Sequence, residues 1–171
     1  MKYILVLFYF ISFTLFAKNT EVTLIIPDKK GPVFWQFVSD VSKSAAKNLN
    51  INLEIIYTNS HRFALKNTID EILKRKVKPE YIIFRPFLGN TAQVFNQLER
   101  HKVKFVTLEQ AFDGRIKQII GTPQHKYKYW LGEVIYDNKA GGELLLNTLI
   151  HEQRKRSSDE MIYVTAIGGD F

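Results

Sequence analysis

With 171 residues, of which 46% are hydrophobic and 24% charged, the chain can build one packed domain or a domain and a half. Its 24 Lys and Arg against 17 Asp and Glu give a net charge of +7, but the basic residues are scattered, which argues against a nucleic-acid footprint gathered on one face. There is no cysteine, so disulfides, a lipid-carrying cysteine behind a leader and a thiol nucleophile are all excluded.

Residues 1–17, MKYILVLFYFISFTLFA, have one basic residue, an unbroken apolar run and a small residue at the end. That is the layout of a secretory signal peptide cleaved after Ala17, with the periplasm as the destination. The alternative is an uncleaved anchor, for which the run is short against the roughly 20 residues a membrane helix needs.

Residues 22–26, VTLII, form an apolar run that stops at PDKKGP and restarts with helical period up to residue 49. This predicts a strand, a loop and a helix with Pro32 in its first turn. Phe34, Phe37, Val38, Val41, Ala45 and Leu49 recur at helical spacing and are expected to face a sheet. Of the adjacent aromatics Phe34 and Trp35, at most one can point into that sheet, so the other is available to a ligand or a neighbouring element.

The pattern then repeats. A strand at 52–58 ends at Asn59 and Ser60, and a helix at 62–76 carries Leu65, Ile69, Ile72 and Leu73. A strand at 81–85, YIIFR, is apolar on both faces, and Asn90 stands ready to cap a helix at 91–102 that would dock Val94, Phe95 and Leu98. Residues 104–108, KFVTL, are a fourth strand. This βαβαβαβ order predicts an α/β fold with a parallel, doubly wound, Rossmann-like sheet.

From residue 111 to 128 the sequence is polar and broken by Gly114, Gly121 and Pro123, and reads as a long excursion. A fifth strand is expected at 130–135, then a helix at 139–155 capped by Asp137 or Asn138, and a sixth strand at 160–167 before a closing Gly-Gly-Asp-Phe. Those four residues match a cyclic-dinucleotide synthase motif by letter only, since no domain of that type surrounds them.

No catalytic constellation assembles. The four histidines are far apart with no partner at i+3 or i+4, so no metal site is expected, and no glycine-rich phosphate loop or Gly-x-Ser-x-Gly is present. What does collect at the carboxyl ends of the predicted strands is Phe34 and Trp35 after the first, Arg85 after the third, and Glu109 with Gln110 after the fourth. Open α/β sheets place their ligands there, and an aromatic plate beside a few polar groups suits a small polar molecule such as a sugar. The plainer alternatives are helix-to-sheet packing for Phe34 and Trp35, and solvated ends or a mutual ion pair for Arg85 and Glu109.

The segments IIPDKKGPVFWQF, YIIFRP, FVTLEQ and VIYDNKAGGELL, in that order, resemble the amino-terminal half of a type I periplasmic binding protein of the ribose-binding and autoinducer-2 receptor kind. The resemblance implies two lobes that close on a sugar-like ligand, delivered to an ABC permease or reported to a membrane sensor such as a histidine kinase. It implies no chemistry, no cofactor, and a monomer if the protein is complete. It assigns ligand binding to Phe34, Trp35, Arg85, Glu109, Gln110 and Asp137, with Asn138 beside the lobe crossing. Glu109 and Gln110 depart from that family's Asp and Arg. The implied boundaries are a leader at 1–17, an amino-terminal α/β lobe at 18–135, and the start of a second, incomplete lobe at 136–171.

Overall fold

The computed structural model describes residues 19–27, 33–58, 63–158 and 160–165. The leader, Pro32, Asn59, Ser60 and the closing Gly-Gly-Asp-Phe lie outside the described residues.

Five strands, β1 (Thr20–Ile26), β2 (Ile51–Tyr57), β3 (Tyr81–Phe84), β4 (Lys104–Leu108) and β5 (Trp130–Val134), form one parallel sheet in the order β2-β1-β3-β4-β5. Helices α1 (Val33–Asn48), α2 (Ala64–Lys74), α3 (Thr91–Arg100) and α4 (Gly114–Ile120) connect them, and α5 (Asn138–Arg156) follows β5. The parallel α/β sheet expected from the sequence is therefore present.

The sheet separates two apolar layers. Ile25, Ile82, Phe84, Phe105 and Trp130 point to the side where Leu65, Ile69, Ile72 and Leu73 of α2 and Val94, Phe95 and Leu98 of α3 dock. Leu24 and Ile26 point to the other side, where Trp35 of α1 covers them. Alternate residues of β1 are thus buried on opposite faces, as a central parallel strand requires. The sheet is also pinned at its polar end: Arg75, just past α2, forks onto Glu54 of β2 at 2.6 and 3.0 Å, and Thr23 donates to the same carboxylate at 3.1 Å. The Arg75 guanidinium holds the Glu54 carboxyl below its ordinary range.

Three expectations need correction. The stretch at 111–128 is not a bare excursion but contains α4, whose Ile120 is fully buried. Ile116, Ile119 and Ile120 stand at i, i+3 and i+4, a helical signal obscured by the flanking Gly114 and Gly121. Gly121, with φ at +77°, closes the helix in a conformation that a side chain disfavours.

The face of α1 is also rotated from the expected one. Trp35, Ser39 and Ala46 are buried, while Phe34, Phe37, Val41 and Leu49 are exposed. Ser39 reaches the sheet because its hydroxyl bonds Tyr57 at 2.9 Å, which satisfies both groups. The third correction concerns the sixth strand: among the described residues, 160–165 form none, and Met161, Tyr163 and Val164 are exposed.

Candidate functional site

In this strand order the chain reverses its direction of travel between β1 and β3, the place where open α/β sheets carry their ligands. Glu109, after β4, contacts Arg85, after β3, and lines a cavity with Phe34 and Trp35 of α1. Trp35 turns inward at 8% exposure and Phe34 outward at 37%. Their rings lie edge to face at 5.0 Å. Both halves of the expectation hold at once, with one aromatic packed and one presented.

Arg85 directly follows β3 and Glu109 directly follows β4, and their side chains form an ion pair, Arg85 Nε to Glu109 Oε2, at 2.7 Å. The mutual pair foreseen as the plainer alternative is therefore real. Both atoms are buried, yet neither makes a hydrogen bond of proper geometry to any group.

The backbone holds Glu109 in place at a cost. Its φ is +66°, and the Gln110 N–H bonds the Leu108 carbonyl across it at 2.7 Å, which makes a γ-turn of the strained, positive-φ kind. The Glu109 N–H is tied to the Val134 carbonyl at 2.7 Å, so β5 fixes the turn. Strained backbone of this sort collects at ligand sites. Glu109→Gly is expected to be more stable than Glu109→Ala by about 1 kcal/mol, because glycine removes the strain while both delete the carboxylate. Chemical denaturation of the two variants measures the difference, and equal midpoints would show the turn to be unstrained.

The remaining two predicted residues are committed elsewhere. The Gln110 side-chain amide donates to the Ala111 carbonyl at 3.0 Å. Asp137 caps α5 by accepting from the Ala140 N–H at 2.9 Å. Neither of them, nor Arg85, lines the cavity beside Phe34.

That cavity, of about 420 Å³, runs between α1 and the ends of β4 and β5. Its walls are Phe34, Trp35, Phe37, Val38, Val41 and Ser42 on one side and Leu108, Glu109, Val134, Ile135 and Tyr136 on the other. The Tyr136 ring stands 6.2 Å from that of Phe34. The sequence reading missed the contribution of β5 and Tyr136. The signal was the unbroken run VIY at 134–136, which continues past the strand where a solvated turn would be polar. A wider opening of about 900 Å³ lies between the end of β2, α2 and the start of α3 and contains none of the six predicted residues.

Among the described residues, no cluster of three or more His, Asp or Glu could hold a metal ion, and no helix is long and apolar enough to cross a membrane.

No family profile matches the chain. The large ribosomal subunit protein uL10 of Buchnera aphidicola subsp. Acyrthosiphon pisum is 23% identical over 148 residues, spanning 82% of this chain and 88% of that protein. That identity carries no family assignment. Among solved structures, a periplasmic ribose ABC transporter protein from Conexibacter woesei superposes with a TM-score of 0.50 at 15% identity, over 58% of this chain and 33% of that one. A chain from Brachyspira murdochii, described as an ABC transporter and LacI family transcriptional regulator, superposes with a TM-score of 0.58 at 13% identity, over 82% of this chain and 41% of that one. The chain thus spans about a third and two fifths of the two solved structures, and what it shares with them is the parallel α/β fold.

Proposed function

We propose that the chain is a solute-binding protein of the periplasm, or the amino-terminal part of one, which takes up a small polar ligand such as a sugar for an ABC permease without chemical change. The observation that carries the reading is the rim itself: an aromatic wall and the Arg85–Glu109 ion pair at the switch point of a parallel sheet. In this reading residues 18–135 are the first lobe and 136–171 begin a second. The fact that α5 buries none of its residues against the sheet supports that division. A ligand between the lobes favours their closed arrangement, and the membrane partner reads that state.

A sensory role, with a receptor or histidine kinase as the partner, uses the same site and differs only in the partner.

The test is a ligand-observed NMR titration of the full-length chain with pentoses, hexoses, autoinducer-2 and amino acids. Binding by at least one solute is expected, with an affinity of about 1 mM where a single lobe covers the ligand on one side. A panel without a single binder would overturn the proposal.

A further inference from the structure

Helix α5 and the residues after it carry an apolar surface that no other described residue covers. None of the α5 side chains is buried. Leu144, Leu145 and Leu149 of the helix, with Met161 and Tyr163 beyond it, are between 58% and 86% exposed. Together with Leu146 and Val164 they present on the order of 800 Å² of surface. That exceeds the roughly 300 to 600 Å² of the largest apolar patch on a typical monomer, and it matches the roughly 800 Å² that each partner buries in a standard interface.

The surface offers both a hole and a knob. A trough of about 480 Å³ is lined by Leu146, Leu149, Ile150 and Gln153 of α5 and by residues 161–165. Leu144 and Leu145 do not line it and project into solvent. Gly142 stands on the same helix face as Leu145, Leu146 and Leu149, three, four and seven residues before them. A Cβ added at Gly141 or Gly142 would meet nothing within 4 Å, so the chain's own packing does not call for glycine there. Each costs the helix about 1 kcal/mol relative to alanine, a cost that close approach of a second backbone would offset.

The charges of α5 are also unevenly placed. Asp137, Lys139 and Glu143 leave its first half slightly acidic, while Arg154, Lys155 and Arg156 make its last turn strongly basic. Two copies of α5 side by side and antiparallel bring unlike ends together, whereas a parallel pair would set the two basic turns against each other.

We propose that the partner of this surface is a second copy of the chain, in a two-fold dimer whose α5 helices pack antiparallel with each copy's Leu145 in the other's trough. The surface shares no residue with the cavity beside Phe34, so the dimer leaves that cavity open.

Sedimentation velocity on the full-length chain tests this. At about 100 μM the chain should be mostly dimeric, since interfaces of this size bind in the micromolar range or tighter. The double variant Leu145→Glu, Leu149→Glu should be monomeric with unchanged circular dichroism and denaturation midpoint, because neither side chain is buried in the single copy. The chain has no cysteine, so single cysteines report the geometry. Leu146→Cys, near the middle of α5, should form a disulfide-linked dimer on mild oxidation. Lys155→Cys should not, because antiparallel packing holds its two copies about 24 Å apart at 1.5 Å per residue. A monomer at about 100 μM, or a dimer that persists in the double glutamate variant, would overturn the proposal. Cross-linking at Lys155→Cys as readily as at Leu146→Cys would also overturn it, by showing a parallel or non-specific association.

Discussion

Replacing Phe95 by alanine is expected to destabilise the chain by about 4 kcal/mol, within the range for deleting a fully buried aromatic side chain. Phe95 is completely buried on α3 and is the hub of the aromatic layer. Its ring lies 4.8 Å from Phe105, 4.9 Å from Trp130, 5.3 Å from Tyr127, 6.0 Å from Phe112 and 6.3 Å from Phe84. These neighbours come from β3, β4, β5 and the segments flanking α4, so no single element can move to fill the void. Trp130 is held further because its indole N–H bonds the Gly132 carbonyl at 2.9 Å.

A cavity that cannot collapse costs the lost contacts as well as the lost transfer energy. At this chain length the loss corresponds to a fall in melting temperature of about 10 °C. Phe95→Leu keeps most of the volume and should lose about 1.5 kcal/mol. Urea denaturation of both variants measures the effect, and a loss below about 1 kcal/mol for the alanine variant would mean that the aromatic layer repacks freely.

The second large effect separates the two adjacent aromatics of α1. Trp35→Ala should cost about 3 kcal/mol, because its ring packs on Leu24 and Ile26 and is itself buried. Phe34→Ala should cost only about 0.5 kcal/mol, since that ring is partly exposed and loses just its edge contacts with Trp35 and Tyr136. Ligand affinity should show the reverse emphasis. Phe34→Ala is expected to weaken the binding of a solute that stacks on this ring about tenfold while the fold stays intact, the equivalent of about 1.4 kcal/mol. Denaturation midpoints and NMR titrations on the same samples check both sides. Equal stability losses for the two variants would mean that neither ring is free to serve the cavity.

On α2 and α3 the residues expected to dock, from Leu65 to Leu98, are the ones buried, because each helix has one apolar stripe and only one way to turn it. On α1 the rule failed. That helix has apolar residues on two sides, and the choice between them was made by Trp35 filling the space over β1 and by the Ser39 hydroxyl bonding Tyr57. The leftover stripe, Phe34, Phe37 and Val41, became the wall of the cavity. A sequence pattern counts apolar positions but does not say which stripe the sheet will take.

The first five strands, their parallel pairing and the collection of Phe34, Arg85 and Glu109 at the carboxyl edge were determined by the chain alone. Period-two and period-3.6 patterning and short connections leave few other topologies, and residues that follow parallel strands must emerge on the same edge. The joining of Arg85 to Glu109, the strained turn at Glu109 and the closure of the groove by Val134, Ile135 and Tyr136 were decided only in three dimensions. Each depends on which strands become neighbours across the sheet, a matter of long-range packing that local spacing does not encode.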